Sequence, residues 1–157
     1  MADIHIDDFY KDTARILLQL YNAFPRKASV FVEDIAGPDQ PDEFGLHSKR
    51  HMACFGAMLW LAEEGFIRYV DTIRQEAVDQ AILTQQSFVR LSSLSRDPQL
   101  IAWASPPPDA PEAVKSNYLS HINLIREALR DGGSERITQT LHRILFPVDS
   151  PTTHIAT

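Results

Sequence analysis

Leu59-Trp60-Leu61-Ala62-Glu63-Glu64-Gly65-Phe66-Ile67-Arg68-Tyr69-Val70 changes its hydrophobic period in the middle. Leu59 to Ala62 closes an apolar run that begins at Met52. The helix it ends, about Ser48 to Glu64, is apolar nearly all round and must be mostly buried. Gly65 is the residue expected just past a helix C-terminus, where the backbone turns left-handed. Phe66 to Val70 then alternates apolar and polar side chains, the period of a strand. A buried helix that stops on glycine and passes directly into a strand is the organising feature of the chain.

The flanking segments complete this unit. Asp71 to Gln75 reads as a turn, and Ala77 to Leu83 as a returning strand. Thr84 can cap a third helix, Gln85 to about Ser95, with Leu83 and Phe88 placed as a hydrophobic staple. Upstream of the central helix, Gly37 to Leu46 has loop composition, with Pro38, Asp39, Pro41, Asp42, Glu43 and Gly45. Before it, Ala28 to Val32 is a short β-branched stretch leading into one or two helical turns that end at Ala36. The first helix runs from Asp8 to Phe24, with Phe9, Ile16, Leu17, Leu20, Tyr21 and Phe24 at helical spacing. Asp7 or Asp8 is its N-cap and Pro25 its stop.

Beyond this unit (1–104), Ser105 to Pro111 is a proline-rich linker expected to be extended. Val114, Tyr118, Ile122, Ile125 and Leu129 then form one helical stripe. Ile137, Leu141, Ile144 and Leu145 form a second, after the break at Gly132-Gly133. Residues 112–146 are therefore read as a helical hairpin, and 147–157 as a loose tail. Two such stripes cannot bury themselves, so they pack on the domain or on a second copy. A stiff linker favours the second copy. The expected product is a homodimer with Tyr118, Ile122, Ile125, Leu129, Leu141 and Ile144 at its interface.

The totals bound the function. The chain has 157 residues, 44% hydrophobic and 23% charged, the composition of a globular protein. No run of eighteen apolar residues exists, so no membrane span is expected. The acidic N-terminus lacks the pattern of a signal peptide, and a single cysteine excludes an internal disulfide framework. The expected compartment is the cytoplasm. The net charge of −6 counts mildly against nucleic-acid binding, since a local basic patch suffices.

The element order is helix, short strand, short helix, long helix ending in glycine, β-hairpin, helix. Together with Leu59 to Ile67 and Ala81-Ile82-Leu83-Thr84-Gln85-Gln86-Ser87-Phe88, it resembles the winged-helix (winged helix-turn-helix) family over roughly residues 8–96. The resemblance implies a mainly α, α+β fold with a small two-stranded wing, followed here by the hairpin. Winged helices bind DNA, RNA or proteins, so the fold does not choose among them. This chain departs from the family in the length of Gly37 to Leu46, where a short turn is usual.

Two ligand classes follow. A recognition helix meets the major groove with its N-terminus, which places Ser48, Lys49, Arg50 and His51 toward double-stranded DNA, with Arg68 and Arg74 added by the wing. That reading makes the chain a dimeric transcriptional regulator; the plain alternative is a solvated helix end. The other reading is a non-enzymatic protein-interaction module, in which Asp39, Asp42 and Glu43 of loop 37–46 meet a protein partner. His47 and His51 stand four apart, a spacing that suits metal ligation. However, Lys49 and Arg50 lie between them and no third ligand is apparent, so neither metal nor cofactor is expected. Cys54 sits in apolar surroundings as a structural thiol. No nucleophile elbow and no phosphate-binding glycine loop occurs, so no enzyme is expected. Trp60 is assigned to the core, and Trp103 to an anchor for the linker or a subunit interface.

Overall fold

The computed structural model describes residues 3–104 and 106–147. The expected tail therefore lies outside the described residues apart from Pro147, as does Ser105 of the linker. Among the described residues the protein is α+β, with eight helices and four strands.

Helix α1 (Ile4–Ala23) starts a turn before Asp8, at the N-cap Asp3. Ile4 and Ile6 are exposed, so no apolar stripe announced that first turn. Strand β1 (Ala28–Phe31) leads into the short α2 (Val32–Ala36), whose Val32 and Ile35 are buried. The long α3 (Lys49–Glu63) is capped by Ser48, whose hydroxyl accepts the amide of His51 at 3.1 Å. Its far end closes as the sequence requires. Gly65 has φ +82°, its amide donates to Ala62 O at 3.1 Å, and Phe66 N donates to Leu61 O at 2.8 Å.

The sheet is antiparallel and centred on β4 (Ala77–Leu83). β1 pairs with one side of it. β2 (Ile67–Arg68) and β3 (Asp71–Ile73) pair with it in one continuous register, Ile67 opposite Leu83 and Ile73 opposite Ala77. The turn expected at Asp71 to Gln75 is therefore mostly strand, and the chain reverses at Arg74 to Glu76, where Arg74 has φ +50°. Polar residues look like a turn locally, but pairing with β4 satisfies their backbone groups and wins.

Thr84 caps α4 (Gln85–Ser92), accepting Ser87 N at 3.3 Å while donating to Gly65 O at 2.8 Å. Helix α5 (Pro98–Ala104) follows. The described part of the linker, 106–111, expected to be extended, instead contains a turn, with Ala110 N donating to Pro107 O at 3.2 Å. The single helix expected through Val114 to Leu129 is two, α6 (Glu112–Tyr118) and α7 (His121–Asp131). Ser120 caps α7 by accepting Asn123 N, and the chain here bridges to Leu94 in strand fashion. Helix α8 (Ser134–Leu145) follows Gly132-Gly133.

α7 and α8 pack against α1 of their own chain, and this corrects the expectation that their stripes form a dimer interface. Ile122, Ile125, Leu141 and Ile144 are at most 3% exposed and belong to one core with Ala14, Leu17, Met58 and Leu61. They are buried within their own chain and offer no face to a second copy; Tyr118 and Leu129 are only partly buried. Polar contacts fasten the same seam, with Thr138 Oγ1 donating to Asp7 Oδ1 at 3.0 Å and Tyr10 Oη lying 2.9 Å from His142 Nδ1. Trp103 is half-buried against this core, and its carbonyl accepts from Arg136 at 3.3 Å. Trp60 departs from its expected core place: it is 37% exposed, edge-on to Phe9 at 5.5 Å.

Candidate functional site

The N-terminus of α3, the loop before it and the turn after β3 converge on one polar cluster. The N-cap geometry turns Ser48 back toward the loop, and its hydroxyl donates to Asp39 Oδ1 at 2.5 Å. The other carboxylate oxygen, Oδ2, receives His47 Nδ1 at 2.7 Å. Asp39 is consequently held down at about 2, chiefly by the Ser48 hydroxyl and then by His47, against the opposing effect of desolvation. His47 also places Nε2 2.7 Å from Glu76 Oε1. Its pKa is raised, first by the bond to Asp39 and then by the charge of Glu76. With a carboxylate at each nitrogen, the imidazole is held as the doubly protonated cation.

His51 is stacked on His47, ring centroids 3.8 Å apart and 5° from parallel. It is 2% exposed, and its Nε2 lies 2.7 Å from Gln75 O. A carbonyl only accepts, so Nε2 carries the proton. The other nitrogen, Nδ1, is buried with no hydrogen-bond partner and lies 3.6 Å from Asp39 Oδ2.

These contacts reassign half of the six residues expected to read DNA. Arg50 lies against α1, where it forks onto Asp12 with Nη1 to Oδ2 at 2.6 Å and Nη2 to Oδ1 at 2.5 Å, and places Nε 3.6 Å from Asp8. Ser48 and His51 are committed to the cap and the buried cluster. Lys49, Arg68 and Arg74 are exposed and carry no side-chain partner among the described residues. The acidic loop divides in the same way. Asp39 is 6% exposed and faces inward, so it is no part of an outer acidic edge. Asp42 is spent on the loop's own geometry, its Oδ1 accepting the amides of Phe44 and Leu46 at 2.9 Å each, with Gly45 at φ +76° between them. Glu43 is exposed. This turn displays Phe44 at 78% exposure and Leu46 at 63%, neither singled out from sequence because loop residues carry no periodicity.

The expectation that His47 and His51 lack a third ligand is also corrected. Asp39, His47 and His51 bring one ligand atom each within 4.8 Å of one another. Asp39 was invisible as their neighbour because only the loop's path decides it. Asp12 did leave a signal: it falls in phase with Phe9 and Ile16 on the buried stripe, and a carboxylate there demands a partner. Cys54 is fully buried as expected, and burial pushes its thiol to about 12.

The cluster predicts a pH profile. Asp39's pKa is lowered on folding, so its contribution is complete above the ordinary 3.8 and is lost as the pH falls toward 2. His47's pKa is raised, so its contribution is present below the ordinary 6.5 and is lost as the pH climbs through the elevated value. Thermal midpoints in chelator-treated buffer should therefore fall on both sides of a maximum. Asp39→Asn should flatten the acid limb; an unchanged acid limb would contradict the assignment.

No protein-family model, no curated protein and no solved structure matches the chain. No helix among the described residues is long and apolar enough to cross a membrane.

Proposed function

We propose that this chain is a winged-helix protein-interaction module that uses loop 37–46 to engage a protein partner. The element order from α1 through α4, with a β-hairpin directly after the long helix, supports the winged-helix assignment. The observation that carries the function is the loop tip. A turn held by three hydrogen bonds to Asp42, from the amides of Phe44, Gly45 and Leu46, keeps Phe44 and Leu46 in solvent, where large apolar side chains cost free energy unless something covers them. A pre-ordered tip also loses little entropy on docking. Between Lys27 and Lys49 there is no lysine or arginine, and His47 is turned inward onto Asp39 and Glu76, whereas Glu33, Asp34 and Glu43 are exposed. The fitting partner therefore presents an apolar pocket with a basic rim.

The test replaces Phe44 with a photo-crosslinking phenylalanine analogue in the source cell, identifies the captured protein, and measures its affinity for the purified chain. Phe44→Ser with Leu46→Ser should weaken binding about 30-fold, the effect of losing one interface hot spot of about 2 kcal/mol, with the thermal midpoint unchanged. Equal affinity of native chain and double variant would overturn the reading.

A DNA-binding reading keeps one specific support, the exposed Lys49, Arg68 and Arg74, which have no side-chain partner among the described residues. It requires duplex affinity that falls steeply with salt and is lost in the triple alanine variant.

A further inference from the structure

We propose that Asp39, His47 and His51 form a binding site for a divalent transition-metal ion of the Zn²⁺ class, at the junction of the long loop and the central helix. The first reason is the orphaned nitrogen. His51 Nδ1 is buried without a hydrogen-bond partner, and in the neutral imidazole with its proton on Nε2 the Nδ1 lone pair faces a carboxylate oxygen 3.6 Å away. Two electron-rich atoms facing each other in a dry place repel unless a cation lies between them. A proton there would form a short hydrogen bond, and 3.6 Å is too long for one. An ion bound at about 2.0–2.2 Å to each atom suits that separation.

The second reason is the set of outer contacts, which are those of metal-bound imidazoles. Ligating histidines hand their other N–H to a carboxylate or a backbone carbonyl, which sets the tautomer. Here His47 Nε2 meets Glu76 Oε1 and His51 Nε2 meets Gln75 O, each at 2.7 Å. Both acceptors belong to the β3–β4 turn, and both Nδ1 atoms are left toward Asp39. Asp39 is oriented in turn by Ser48, whose hydroxyl donates to Oδ1, while Oδ2 meets His47 Nδ1, whose proton the ion would replace. Two nitrogens and one oxygen form a borderline donor set that suits Zn²⁺ or Co²⁺ rather than Mg²⁺ or Ca²⁺. A cleft of about 240 Å³ bounded by Pro38, Gln40 and Ser48 adjoins the cluster and leaves room for water as a fourth ligand.

Binding has two structural consequences. The Nδ1 proton of His47 leaves to solvent, so metal and proton compete. The two rings are now parallel, and an imidazole lone pair lies in its ring plane, so His47 must rotate away from the stack for both to meet one ion. His47 can do so because it precedes the helix, whereas His51 is fixed inside it.

The test uses the full chain without a histidine tag, stripped with chelator and titrated with Co²⁺ and then Zn²⁺. Expected are one equivalent bound, the visible absorption of low-coordinate Co²⁺, and its loss when Zn²⁺ displaces it. Long-range ¹H–¹⁵N spectra should show Zn²⁺ shifting the Nδ1 resonances of His47 and His51 and leaving His121 alone. Asp39→Asn and His47→Gln, each confirmed folded by circular dichroism, should weaken binding at least about 100-fold, whereas His5→Ala should not change it. Absence of stoichiometric binding, or affinity undiminished in both variants, would overturn the site, as would Nδ1 resonances unmoved by Zn²⁺. The spectra read the native chain, so a variant that failed to fold would not spare the proposal.

Discussion

Arg50→Ala should destabilise the protein by about 2–3 kcal/mol, although a helix-end arginine on a DNA reader would be expected to matter only for binding. Asp12 is 1% exposed and both its oxygens are taken by the Arg50 fork. Removing the guanidinium strands a carboxylate between α1 and α3. Breaking a fully buried pair costs about 3–5 kcal/mol; the Arg50 side chain is 34% exposed, so water recovers part of that. Urea unfolding should show the shift. Arg50→Met combined with Asp12→Leu should recover most of it, because replacing both partners by apolar groups leaves nothing unpaired. An unchanged midpoint for Arg50→Ala would mean that the arginine faces outward and is free for a ligand.

The largest effect is expected at the C-terminal helices. Leu141 is fully buried in the core shared by α1 and α8, so Leu141→Ala should cost about 2–5 kcal/mol. Ile122→Glu with Ile144→Glu, which puts two carboxylates into the same core, should prevent folding of the whole chain. With Trp103→Phe as background, fluorescence reports on Trp60 in α3 and far-ultraviolet circular dichroism on all helices. For Leu141→Ala the two transitions should coincide, since α3 and α8 share their packing with α1. A folded α1–α4 unit persisting in the double glutamate variant would show instead that residues 112–146 are an independent appendage. Such an outcome would restore the dimer as a use for the stripe.

Local order in the chain is strong, and so is its record in the residues. Thr84 as a cap, Gly65 as the left-handed stop, and the stripes of α1, α7 and α8 are all set by contacts within a few residues, as is the cap at Ser48, where the sequence marks only the helix start. Such contacts need no knowledge of the fold. The same local rules misplaced the turn at Asp71 and missed the cap at Ser120. There, pairing with β4 and with Leu94 outweighs propensity.

What burial requires is also legible, but not what provides it. A stripe such as Ile122, Ile125 and Leu129 announces that something must cover it. Whether α1 of the same chain or a second copy does so depends on how residues 105–111 turn, and proline composition suits both a rod and a turn. The polar site is the extreme case. His47 and His51 advertise a shared helix end, yet Asp39, Glu76 and the carbonyl of Gln75 reach them from a loop and a hairpin with no sequence periodicity to place them. Arg50 and Asp12 meet across two helices, 38 positions apart. Helix ends and stripes were short-range facts, readable from neighbours. The fork of Arg50 onto Asp12 and the meeting of His47 and His51 with the β3–β4 turn were long-range ones, chosen when the core closed and water was excluded.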